Sequence, residues 1–232
     1  MENSNKQYTE QTRSSQTQLS NREKLTELFR SSEIPDDELL TNLGLFMRSG
    51  CLAKMLYLNE IYQLIIDVPG IICEFGTWWG QSLATFENLR AIYEPYNYNR
   101  KVIGFDTFSG YASVTNKDVS SDTIKPGGYA VKKDWQSELS KILAVHEAEN
   151  VMGHIKRSTL VSGDVCHTVG DYFAKSPEQY VALAYLDVAL YEPTLAILKE
   201  LKKRVIPGSV IALDEMFNSD YPGETAAFFE VF

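Results

Sequence analysis

The sequence predicts an α/β fold: a mostly parallel sheet with helices on both faces, preceded by extra N-terminal helices. Three observations predict it. From Pro69 onward, five short apolar runs ("IICEFG", "KVIGFD", "TLVSGD", "YVALAYLD" and "GSVIALDE") read as strands. Helical patterns separate these runs, and strands alternating with helices build right-handed βαβ units on a parallel sheet. Acids gather at the strand ends: Glu74, Asp106, Asp164, Asp187 and the pair Asp214-Glu215. Ligands of open α/β sheets bind outside the carboxyl ends of the strands, so five such positions on one edge mark that edge as a site.

Taken in order, residues 1–19 are rich in Ser, Gln, Asn and Thr and are expected to form a disordered tail. Ser20 with Glu23 three residues on has the spacing of a capping box, so a helix is expected to start there. Apolar residues at three- and four-residue spacing then predict two or three helices, forming an N-terminal helical cap over 20–68. The α/β core follows over 69–232, with helices at 80–93, about 132–149, 166–174 and 191–204. A length of 232 residues suits one such domain and would crowd two.

The net charge of −9 argues against nucleic acid, whose partners carry a basic face that displaces phosphate counterions. No apolar run reaches the roughly 18 residues of a membrane span. Cys51, Cys73 and Cys166 are odd in number and far apart, which favours reduced thiols and a cytoplasmic setting over a disulfide framework.

The stretch "CEFGTWWGQS" joins the first strand to a helix. Gly76 permits the tight turn, and Gly80 permits close backbone approach by a ligand. The helix amides and the Ser82 hydroxyl would then face a carboxylate or phosphate. The spacing is G-x-x-x-G, neither the dinucleotide fingerprint nor a P-loop. Asp106 is placed to accept both ribose hydroxyls of a nucleoside, and Asp164 in "VSGDV" to accept from an adenine amino group. A carboxylate-binding loop, a ribose acid and an adenine acid together describe S-adenosylmethionine. The competing reading, a nicotinamide-dependent oxidoreductase, lacks its glycine fingerprint. An iron oxygenase is disfavoured, because His146, His154 and His167 show no two-His-one-carboxylate spacing.

In order and spacing, "EFGTWWGQS", "GFDTF", "SGD", "LDVALYEPT" and "ALDE" resemble the metal-dependent class I O-methyltransferases. They are most similar to the macrocin-type family that methylates hydroxyls of deoxysugars and nucleotide-linked 6-deoxyhexoses in natural-product pathways. The resemblance implies a Rossmann-like class I methyltransferase fold and S-adenosylmethionine as methyl donor. It implies that Glu74, Gly76, Gly80 and Ser82 line the methionine part, that Asp106 holds the ribose, and that Ser162, Gly163 and Asp164 border the adenine. Thr77, Trp78, Thr107 and Asp187 complete the implied cofactor contacts. Asp187, Asp214 and Glu215 are the implied ligands of Mg²⁺ or another divalent ion, a hard all-oxygen set. The implied partner is a small sugar or nucleotide-sugar, with no nucleic acid and no membrane, in a homodimer.

Two departures from that family stand out. Its D-x-D reads Asp187-Val188-Ala189 here, so Ala189 occupies the place of an acid expected to act in catalysis. His146 is the substitute base the sequence offers. A non-catalytic cofactor-binding homologue is therefore the alternative to an active enzyme. The chain also stops at "ETAAFFEVF", before the two strands that usually close this fold, so the final strands are expected to be missing. The polar segment 107–131 has the length of a lid or of a disordered loop, and Tyr57 and Tyr62 are candidates for the acceptor wall or for the core.

Overall fold

The computed structural model describes residues 14–232 apart from 120 and 122. The chain divides into two units, the first ending at Tyr57 and the second spanning Leu58–Phe232. In the first unit helix α1 covers Gln16–Arg30. It starts earlier than the sequence suggested, because Ser15, not Ser20, caps it: the Ser15 hydroxyl accepts from the Gln18 amide and the Gln18 side chain accepts from the Ser15 amide. Gln serves in the capping box as Glu does, which moves the start four to five residues upstream. Residues 14–19 are thus ordered, and the rest of the expected tail, 1–13, lies outside the described residues. Helix α2 (Asp36–Leu39) and a 3₁₀ turn at Leu43–Phe46 follow, and α3 (Ser49–Gln63) runs from the first unit into the second.

The second unit is a five-stranded sheet of β1 (Ile71–Phe75), β2 (Val102–Asp106), β3 (Ser158–Ser162), β4 (Val181–Leu186) and β5 (Val205–Leu213). Its order is β3-β2-β1-β4-β5, and every neighbouring pair is parallel. Helices α4 (Gln81–Tyr93), α5 (Trp135–Glu149), α6 (Val165–Lys175) and α7 (Tyr191–Leu201) make the crossovers, and α8 (Pro222–Val231) follows β5. No strand follows β5 among the described residues.

Continuous apolar runs mark strands buried on both faces, and β1 and β4 are buried at every residue. Alternate residues feed two cores. Ile72, Leu183 and Tyr185 pack with Leu83 and Phe86 of α4 and Leu139 and Leu143 of α5. On the other face Cys73, Phe75, Ala184 and Leu186 pack with Val169 and Phe173 of α6 and Ile197 and Leu198 of α7. β5 starts three residues before the run that predicted it, and absorbs "IPGS" as a bulge: Val181 pairs with Val205, but Leu183 pairs with Val210.

Arg100, 1% exposed, ties down the segment entering β1. Its guanidinium donates to the carbonyls of Ile65, Val68 and Gly70 at 2.9, 2.8 and 2.6 Å, and to Glu94 at 2.8 Å. Tyr62 donates its hydroxyl to the same carboxylate at 2.6 Å. Tyr62 is therefore a fully buried core residue rather than an acceptor wall. Burial pushes the Glu94 carboxyl upward, but hydrogen bonds from Arg100, Tyr62 and Asn97 outweigh it and hold the group below the usual carboxylate range. A depressed carboxyl stabilises the fold above its unfolded value, near pH ~4.3, and that gain is lost as pH falls through the folded value. Glu94→Gln should therefore cost about 3–5 kcal/mol at pH 7, by leaving Arg100 uncompensated. Denaturant melts should show the gap to the unsubstituted chain closing toward pH 3.

Candidate active site

Backbone hydrogen bonds continue past the strand ends and set the loops side by side in sheet order. Gly163 donates to the Asp106 carbonyl at 2.9 Å, Gly76 to Phe105 at 2.9 Å, Asp187 to Phe75 at 2.8 Å and Asp214 to Leu186 at 2.9 Å. The expected strand-end acids thus share one carboxyl edge. Strand order reverses between β1 and β4, the switch point at which open α/β sheets open a crevice. There the turn at Gly76 passes so close to Asp187 that a Cβ on Gly76 would lie 2.0 Å from the Asp187 carbonyl oxygen. Its φ of +89° independently requires glycine.

Asp106 ties the loop after β1 to the loop after β2. One carboxylate oxygen accepts the Trp78 amide at 2.7 Å and the other accepts the Phe108 amide at 2.6 Å. It thereby fixes the left-handed Trp78, φ +48°, and the start of the 107–134 segment. Burial pushes its carboxyl upward, and the two amides pull it back. Each oxygen keeps a further acceptor position for a ribose diol. Glu74 is buried at 1% exposure on β1, Thr77 at 3%, and Ser82 sits buried on the first turn of α4. The α4 N-terminus has no side-chain cap.

Several of the candidate residues have partners within the chain. The backbone at Gly80, φ +89°, itself calls for glycine, and a Cβ there would meet the tip of the Leu139 side chain at 2.4 Å. Asp164 caps α6 through the Cys166 amide at 2.9 Å, the ordinary use of a strand-end Asp. The Thr107 hydroxyl closes a turn onto Gly110. Ser162 and Gly163 end β3 beside Asp106. His146 is excluded as a base: it lies in the last turn of α5, roughly 16 Å of helix beyond Trp135 at about 1.5 Å per residue, beside the amino end of β3.

On the acid side, Asp214 accepts from the Tyr185 hydroxyl at 2.5 Å, and Glu215 accepts from the Asn218 side chain. The charges of Asp187 and Asp214 both reach Tyr185, while those of Asp187 and Glu215 both reach Tyr111 and Glu224. The donor set has the hard oxygen chemistry a divalent ion needs. As placed, however, no three His, Cys, Asp or Glu groups converge on a metal position among the described residues.

Ala189 does not face an open site. It is 5% exposed, left-handed at φ +59°, and packs in an apolar cluster with Ile124, Leu190 and Tyr221. Ile124 belongs to the segment expected to form a lid, and that segment is docked. Asp118 accepts the Tyr191 amide at 2.8 Å, and the Tyr129 and Tyr221 hydroxyls lie 3.1 Å apart. The Tyr111 ring lies tilted against that of Tyr129, centroids 5.5 Å apart, and Tyr129 meets Trp78 edge-on. Sequence reasoning missed these tyrosines, which lay in a stretch with no period.

It also missed Glu224. This carboxylate, 0% exposed, accepts the Ala189 amide at 3.2 Å and the Glu215 amide at 3.0 Å. Burial, reinforced by Asp187 and Glu215 against those two amides, pushes its carboxyl up to about 8. An acid in the first turn of a helix reads in sequence as a dipole partner, which hid it.

A five-stranded parallel sheet in this order, with a glycine turn and acids at the switch point, is a doubly wound α/β sheet with its crevice at that point, the architecture shared by class I methyltransferases. The comparisons narrow the class. The sequence profile described as "Macrocin-O-methyltransferase (TylF)" matches residues 5–227. This chain therefore belongs to the macrocin O-methyltransferase family and is an O-methyltransferase. The chain is 40% identical to the calicheamicin methyltransferase CalS11, with a TM-score of 0.93 over 95% of this chain and 86% of that one. A second structure, the apo form of CalS11, described as a TDP-rhamnose 3'-O-methyltransferase, is 38% identical with a TM-score of 0.84, covering 95% and 87%. The O-methyltransferase NovP shares the fold at 18% identity and TM-score 0.58, over 76% and 69%. A comparison with curated protein sequences gives no match.

Two outcomes follow for the site. Asp106→Asn replaces an acceptor by an amide NH₂ facing a backbone N–H, which should cost about 1–3 kcal/mol of stability. Calorimetry should show S-adenosylhomocysteine binding weakened by about tenfold or more, since 1.4 kcal/mol is a factor of ten. Ala189→Asp buries a fourth carboxyl beside Asp187, Glu215 and Glu224. Thermal melts at pH 7 should register a loss on the order of 1–3 kcal/mol that shrinks in acid as the new group protonates.

Proposed function

We propose that the protein transfers the methyl group of S-adenosylmethionine to a hydroxyl of a nucleotide-linked 6-deoxyhexose. The observation that carries this reading is the Gly76–Asp187 contact, which puts the cofactor loop directly against the acid edge. Family membership and the rhamnose-nucleotide acceptor named for the 38%-identical structure support the acceptor class.

In this reading Gly76, Trp78 and Asp106 hold the donor, with Glu74 and Ser82 beside its methionine end and Gly163 toward its adenine. Asp187, Asp214 and Glu215 would hold a divalent cation, turning from their present partners Tyr185 and Asn218. Such an ion supplies acidity and orientation to a sugar diol. The chain's own contribution is placement. Holding two reactants in attack geometry can supply roughly 7–11 kcal/mol of a barrier. The docked 107–131 segment and the ring faces of Trp78, Tyr111 and Tyr129 exclude water and offer apolar surface to a sugar.

The test is methyl transfer to deoxysugar nucleotides, followed by mass spectrometry. The product is expected to gain one methyl, to vanish with a chelator, to return with Mg²⁺, and to fall about 10²-fold or more in Asp187→Asn. Turnover that ignores the chelator would remove Asp214 and Glu215 from an ion site. Cofactor binding with no turnover on any sugar nucleotide would leave a non-catalytic homologue.

A further inference from the structure

We infer that Glu224 is the positioning residue of the acid edge: from the start of α8 it holds the loop after β4 and the turn after β5 in register. The inference rests on the proposed reading of that edge as the acceptor side. Asp187 and Ala189 stand two residues apart on one loop, and Asp214 and Glu215 begin the other. No strand pairing joins those loops past the Asp214–Leu186 hydrogen bond. Beyond it, Ala189 and Leu190 pack on Tyr221, and the Glu224 side chain bridges the loops, with one oxygen on the Ala189 amide and the other on the Glu215 amide.

The approach is built for the purpose. Gly223 brings α8 so close that a Cβ there would sit 2.2 Å from an Asp118 carboxylate oxygen and 2.5 Å from the Tyr191 nitrogen. No side chain could be interposed, so the helix start lies directly on the loop after β4. Asp118 in turn accepts the Tyr191 amide, which brings the docked 107–131 segment to the same junction. A buried carboxylate with both oxygens bonded to backbone cannot reach a substrate, so Glu224 acts through the residues it holds. With Ala189 offering only a methyl, the loop after β4 has no carboxylate of its own at that position and is fixed from α8 instead.

Glu224→Gln keeps size and shape but can accept only one of the two amides, and Glu224→Ala accepts neither. Amide exchange read by mass spectrometry should show peptides spanning Ala189 and Glu215 losing protection in Glu224→Ala, with the Asp106-held amides of Trp78 and Phe108 unchanged. The affinity for S-adenosylhomocysteine should stay within about twofold, while kcat falls by roughly 10- to 100-fold in the order Ala below Gln, the loss a slightly misplaced site brings. A kcat at the wild-type level, or an affinity for the cofactor product that falls in step with kcat, would overturn the inference in favour of a general structural role. So would unaltered exchange at Ala189 and Glu215. If the unsubstituted protein methylates no deoxysugar nucleotide, the acceptor reading fails by itself, and the exchange pattern still decides the role of Glu224.

Discussion

The site depends on how closely the turn after β1 can pass the end of β4. Gly76 has no side chain, and its left-handed backbone lets the chain turn within van der Waals range of the Asp187 carbonyl. Any Cβ would wedge the two strand ends apart at the point where the sheet reverses its order. The glycine turn after β1 and the acidic edge are adjacent because of that contact. Parallel pairing carries the consequence outward, since the hydrogen bonds beyond each strand end set Asp106 and Gly163 on one side and Asp214 on the other.

Asp106 and Glu224 do matching work on the two sides of this junction. Each is a largely buried carboxylate that accepts two backbone amides from two different loops. Loops at a strand edge have no ladder to hold them, and a single carboxyl group offers one oxygen to each of two loops. Burying such a group without partners would cost several kcal/mol, so each carboxylate specifies its loop positions as it satisfies itself. Asp106 joins the loops after β1 and β2, and Glu224 those after β4 and β5. Arg100 repeats the principle with the opposite charge at the entry to β1.

Ala189 gains a meaning from this setting. In the sequence it is a missing acid. In the structure its methyl fills an apolar seat under Ile124, beside Tyr221, where the 107–131 segment docks. The segment is anchored at both ends, through the Phe108 amide on Asp106 and the Tyr129–Tyr221 hydroxyl pair. In a long polar stretch with three glycines, Ile124, Asp118 and Tyr129 each find a partner on the acid side.

The sequence by itself determined the class of fold, the strands and their helices, and the edge on which the acids gather. Those follow from local periodicity and from the rule that strand ends carry the site, and both are visible in "IICEFG" and "YVALAYLD". It also singled out Gly76, Asp106 and Asp187, which the structure joins through the Gly76–Asp187 approach and the Asp106 bonds to Trp78 and Phe108. Tertiary structure alone decided which acids are struts and which face the site, because Asp164, Asp106 and Glu224 differ by their partners and not by their local sequence. It removed His146 to the far edge, since a helix running antiparallel to its strands carries its last turn away from the site. It placed Ala189 and the three tyrosines together, a meeting of segments about 30 to 110 residues apart that no periodicity encodes.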